Sequence, residues 1–144
     1  MKRFHSVISA ADLLNKLGKL DAAREYLHQP QAANNQQRVQ LMLIEAQLLR
    51  EAKRLEDAYQ VLQQGLEKLP NHPDLLYETA MLADKSGKPD IFEQLIRKLI
   101  QVKPDHAHAY NALGYSLLER NERIAEAVEL VEKALQLAPD DAAI

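Results

Sequence analysis

The residues of this chain best suited to chemistry are its histidines. His106 and His108 form an H-x-H pair, a spacing that can turn two imidazoles toward one metal ion. A closed metal site needs further ligands, and the chain has no cysteine to supply them. His72 stands 34 residues before His106 in a similar stretch, so a shared place in a turn or helix cap accounts for both. His5 and His28 have no acidic or cysteine neighbour at ligand spacing. Ser9, Ser86 and Ser116 lack the setting of a nucleophile elbow, and no glycine-rich phosphate loop occurs. The carboxylate pairs Glu56-Asp57 and Asp140-Asp141 read as cap and surface charges. No enzymatic activity, cofactor or metal is therefore expected.

Charge leads to the same place. Arg50, Lys53 and Arg54, and again Arg97 and Lys98, could face nucleic acid, but Glu51, Glu56, Asp57, Glu93 and Glu119 interleave with them. With a net charge of −3, a solvated mixed face is the better reading and no nucleic-acid partner is expected. The 144 residues are 47% hydrophobic and 27% charged, the balance of a folded domain. Helix formers dominate, Trp is absent, and only 4 Gly and 6 Pro occur, which points to an all-α chain. No apolar run is long enough to span a bilayer. The opening MKRFHSVISAADLL has a basic start, but Asp12 and Asn15 interrupt its apolar stretch, so it reads as a helix rather than a signal peptide. Absence of cysteine suits the cytoplasm and the bacterial periplasm equally.

What must position these side chains is a repeat. Pro70, Pro104 and Pro139 stand 34 and 35 residues apart, closing the phrases QGLEKLPNHP, RKLIQVKPDH and EKALQLAPDD. Ala11, Ala46, Ala80 and Gly114 recur in step, as do Leu27, Leu62, Ile96 and Val131. Such a period with helical patterning marks a solenoid of helix pairs. Four units are expected, at about 4–38, 39–72, 73–106 and 107–141. Their helices A fall near 4–17, 38–52, 74–86 and 107–120, and their helices B near 20–29, 55–68, 90–102 and 123–137. Pro30 should end the first helix B early, leaving 31–37 as the longest loop. Asn71 and Asp105 are the expected N-caps of the third and fourth helices A. Small residues such as Ala46, Ala58, Gly114 and Ala127 should let each pair cross closely.

These residues resemble the tetratricopeptide repeat. The fourth unit carries Tyr110, Leu113-Gly114, Leu117, Ala127, Val131, Ala134 and Pro139 at the signature sites, with one extra residue in its turn. The second carries Met42, Ala46, Leu49, Leu55, Ala58, Leu62, Gly65 and Pro70. Phe92 and Leu99 depart from the pattern by occupying small sites, so that crossing should be wider or shifted. The resemblance implies a right-handed α-solenoid of about four helix pairs, filling residues 1–144 as one repeat domain. The stretch from Glu93 onward is also similar to the repeat arrays of bacterial envelope proteins, often lipoproteins. That implies one stretch of a longer scaffold, with an envelope location favoured.

In such repeats helices A line a concave groove that holds another protein. The implied groove residues are Leu43, Gln47, Arg50 and Glu51, then Tyr77, Met81, Asp84 and Lys85, then His108, Asn111, Tyr115 and Glu119. Tyr77, Met81 and Tyr115 would be the anchors for a peptide or partner helix. Family members that grip a C-terminal carboxylate use Lys and Asn where Ile8, Asp12, Leu43 and Gln47 stand here, so that mode is not expected. The function implied is a protein-interaction scaffold, with self-association or RNA binding as alternatives. Self-association would run through the last helix, whose Ile124, Val128, Val131 and Leu135 have no following repeat in this sequence to cover them, with Asp140–Ile144 as the first turn of one.

Overall fold

The computed structural model describes residues 4–29 and 32–140, and every regular element among them is an α-helix. They form two units divided after Pro70. The first holds α1 (Phe4–Lys16), α2 (Leu20–Leu27), α3 (Asn35–Glu51) and α4 (Leu55–Lys68). The second holds α5 (Pro73–Lys85), α6 (Pro89–Val102), α7 (Ala107–Glu119) and α8 (Ile124–Leu137). Odd-numbered helices are the expected helices A and even-numbered ones the helices B. Pro30 and residues 141–144 lie outside the described residues; α2 itself stops at Leu27.

One backbone device closes each helix A. Gly18, Lys53, Gly87 and Asn121, 34 or 35 residues apart, all have positive φ. The next residue then donates its N–H back into the helix: Lys19 to the carbonyl of Leu14, Arg54 to Leu49, Lys88 to Ala83, and Glu122 to Leu117, all at 2.8–2.9 Å. This Schellman closure satisfies carbonyls that the helix end would leave orphaned. Glycine takes the left-handed conformation freely in two turns, whereas Lys53 and Asn121 bear its steric cost in the others. The fourth turn does carry its extra residue, Arg123, which is also left-handed at φ 45.

One helix start and two caps differ from expectation. The third helix begins at Asn35, three residues ahead of the expected start, because Asn34 in extended conformation caps it, its Oδ1 accepting from Gln37 N–H at 2.9 Å. The loop before it is shorter accordingly. Nor are Asn71 and Asp105 the N-caps of α5 and α7; His72 and His106 hold those positions. The His106 imidazole does the capping itself, its Nδ1 accepting from Ala109 N–H at 3.1 Å. At α5 Pro73 occupies the first turn, where its missing N–H removes one of the donors a cap would have to satisfy.

The small residues sit where close crossing demands them. Ala11, Ala46, Ala80 and Gly114 are buried at one register of helices A, and Ala23, Ala58 and Ala127 at one register of helices B. At Gly114 a Cβ would lie 2.7 Å from Val131 Cγ2 and 3.0 Å from the Ala127 carbonyl oxygen, so α7 and α8 touch backbone to backbone there. At the B register of α6 stands Phe92, only 1% exposed. The bulky ring is accommodated beside the α5–α7 space, which it helps to line, while Ala80 of α5 keeps the small register common to helices A.

Charge reinforces the second unit. Glu93 on α6 accepts from Arg97 at 2.9 Å, from Arg120 at 3.2 Å and from Arg123, the extra turn residue, at 2.8 Å. Arg123 above all, with Arg97 and Arg120, outweighs partial burial and holds the Glu93 carboxyl at about 2. A depressed value means that the network stabilises the fold above the ordinary carboxylate range and loses its contribution as pH falls toward about 2. Glu93→Gln is therefore expected to lower stability at pH 7 by about 1–2 kcal/mol, a figure kept small by the solvent around the arginines. The gap between the two proteins should close on acidification from about pH 4.5 to about 2. Urea midpoints across that range measure it, and a gap independent of pH would refute the assignment.

Candidate functional site

The second unit contains a cleft of about 380 Å³ between α5 and α7. From α5 it takes Tyr77, Met81 and Asp84; from α7 it takes His108, Asn111, Ala112, Tyr115, Ser116 and Glu119. Phe92 of α6 also lines it, so the residue that departs from the repeat pattern helps to shape the cavity. The spacing of Tyr77, Met81 and Asp84, and of His108, Asn111, Tyr115 and Glu119, is that of one stripe along a helix.

Seven residues expected on sequence grounds thus meet in one cleft. Lys85 does not join them; it is exposed and outside the lining. Leu43, Gln47 and Arg50 stand on α3 in the first unit, where Gln47 donates to Glu51 at 3.1 Å, and none of them is in the lining of that unit's 650 Å³ cavity.

The cleft is amphipathic. Tyr115 is 51% exposed and Met81 half-buried, which leaves an aromatic face and a flexible thioether available to a visitor. Tyr77 is held differently: its ring lies 5.2 Å from that of His106, tilted by 31°. Burial, with the Glu78 charge adding to it, pushes the Tyr77 hydroxyl above its ordinary range, so it stays a neutral phenol. Burial also lowers the basicity of His106, with Lys103 and His108 acting in the same direction. The neutral imidazole is the form able to accept from Ala109 N–H, so the cap of α7 and the packing of Tyr77 rest on one ring.

Sequence reasoning missed a second cavity, of about 650 Å³, in the first unit. Its lining includes Arg24, His28, Arg38, Glu45, Asp57, Gln64 and Lys68. At its edge Glu45 is 3% exposed, accepting from Arg24 Nε at 2.8 Å and paired with His28 Nε2 at 2.6 Å. His28, without an acidic neighbour in sequence, has one in space, 17 residues on. The signal was present: Glu45 occupies the register held by Thr79 and Leu113 in later repeats, and a carboxylate there must find a partner. Among the described residues, no group of three or more His, Asp or Glu could hold a metal ion. No helix among them is long and apolar enough to cross a membrane.

Helix pairs at a period of 34 or 35 residues, closed by the same left-handed turn and crossing on small residues, define a class of repeat protein. Models of the tetratricopeptide repeat match residues 8–73, 49–114 and 107–141. The chain belongs to the tetratricopeptide repeat family. It is 41% identical over 133 residues to a TPR repeat-containing protein of Pseudomonas aeruginosa, a match covering 92% of this chain. The chain spans 22% of the length of that relative. Among solved structures it is similar to MamA, with a TM-score of 0.72 and 19% identity over 98% of this chain and 81% of the other. A second similar structure is YrrB, described as a TPR protein with an unusual peptide-binding site, with a TM-score of 0.70 and 18% identity over 95% of this chain and 70% of the other.

Proposed function

We propose that this chain is a non-enzymatic scaffold that binds a peptide or a helix of another protein along its helices A, with the α5–α7 cleft as the principal seat. The observation that carries this reading is the convergence of Tyr77, Met81, Asn111 and Tyr115 on one open cleft. Exposed aromatic and thioether groups beside polar ones are the usual anchors of protein recognition. Leu43, Gln47 and Arg50, on α3 of the first unit, are proposed as that unit's own partner contacts. The peptide-binding site named for YrrB supports the reading by likeness of fold.

The test begins with a pull-down using the intact protein, followed by affinity measurement on the purified partner. Tyr115→Ala is the clean variant, because that side chain is largely solvent-exposed and its removal should leave stability unchanged. Together with Tyr77→Ala it should weaken binding by about 2 kcal/mol or more, roughly 30-fold. Full affinity in a folded double variant would move the site away from this cleft.

Self-association is the second reading, and the surface of α8 favours it. Ile124, Val128 and Leu135 are each more than 40% exposed and fall on one side of the helix. An apolar stripe of this kind is uncommon on a monomer. Light scattering at high micromolar protein should then give a mass that rises with concentration; a constant monomer mass would exclude it.

A further inference from the structure

Every charged side chain that lines the α5–α7 cleft, apart from the titratable His108, is a carboxylate: Asp84 and Glu119, with no Lys or Arg in the lining. Both acids stand in the last turn of their helices, α5 ending at Lys85 and α7 at Glu119. A helix C-terminus already carries partial negative charge, so an acid there is mildly destabilising and a cation is what the site attracts. Two nearby arginines are directed elsewhere. Arg120, which follows Glu119, bonds Glu93 at 3.2 Å and Glu122 at 3.6 Å, and Arg123 bonds Glu93 at 2.8 Å. The Glu93 network thus draws two arginines toward α6 at the end of the unit where Glu119 lies. Lys85, next to Asp84, is exposed and outside the lining.

We propose that the α5–α7 cleft selects a basic segment of a partner protein, in which a Lys or Arg stands beside an apolar side chain. The cation lies against Asp84 and Glu119, while the apolar side chain rests on Met81 and Tyr115. A cation in this cleft is attracted by both carboxylates and by the negative helix ends on which they stand. An acidic peptide meets repulsion from both, which is how the cleft discriminates as well as attracts. This inference rests on the cleft being the binding seat and adds the chemistry of what occupies it.

The experiment uses a library of random 12-residue peptides displayed on phage, selected on the 144-residue chain, with the enriched peptides then synthesised. Enriched sequences should carry Lys or Arg within a few residues of Leu, Met or an aromatic residue. Their affinity should fall about tenfold for the double variant Asp84→Asn, Glu119→Gln, and should fall with added salt. These exposed neutral replacements should leave the thermal midpoint of the protein unchanged or raised. Tyr115→Ala separates the two layers of the argument. Peptides that lose binding with Tyr115→Ala but ignore the charge variant occupy the cleft without charge selection, which overturns this inference and leaves the seat intact. Peptides indifferent to Tyr115→Ala, or no enrichment at all, overturn both. Enrichment of acidic sequences overturns the charge assignment directly.

Discussion

Phe92→Ala should destabilise the second unit by about 3–5 kcal/mol, the range for emptying a fully buried aromatic site. The repeat pattern points the other way. Ala23, Ala58 and Ala127 occupy this register, so alanine at 92 looks like a return to the family norm. Packing decides between the two. Phe92 is 1% exposed and lines the α5–α7 cleft, so removing the ring enlarges that cavity, and close-packed helices relax only in part to refill it. The helix-propensity gain of alanine over phenylalanine, about 0.5 kcal/mol, is too small to offset that. Phe92→Leu, which keeps most of the volume, should cost under about 1.5 kcal/mol. Chemical denaturation of the three proteins gives the comparison. A neutral or stabilising Phe92→Ala would show that α5 and α6 close onto the alanine register by themselves.

Phe92 also illustrates how far the sequence could be read. Period, helix count and pairing followed from Pro70, Pro104 and Pro139 and from the small residues of each crossing, because solenoid contacts are local and repeat with the text. The stripe that places Tyr77, Met81 and Asp84 on one side of α5 followed from helical geometry, and the cleft brings its α7 counterparts to it. Where single side chains decided, the reading fell short. Asn34 starts α3 early through one hydrogen bond, and His106 rather than Asp105 caps α7 because its Nδ1 reaches Ala109 N–H. A departure from a repeat pattern signals that something compensates, but the compensating residue lies on another helix and at no fixed spacing.

Glu45 is the strongest departure, and it yields the other large expected effect. Arg24→Ala should cost about 3 kcal/mol or more, whereas Glu45→Leu should stay within about 1 kcal/mol of the unaltered protein in either direction. The asymmetry comes from where each charge can go. The Glu45 side chain is 4% exposed, and Arg24 supplies one of its two close partners. Without Arg24 a buried carboxylate keeps only His28, which is itself 62% exposed and has water as an alternative. Removing Glu45 instead strands nothing, because Arg24 and His28 can both turn to solvent along the 650 Å³ cavity that they line. Leucine also suits the register, since Leu113 holds it in the fourth repeat. The double variant Arg24→Ala, Glu45→Leu should accordingly recover most of what Arg24→Ala loses, a non-additivity that denaturant titration of the four proteins measures as a cycle. An Arg24→Ala protein within 1 kcal/mol of the original would mean that water from the adjoining 650 Å³ cavity serves Glu45 in place of Arg24.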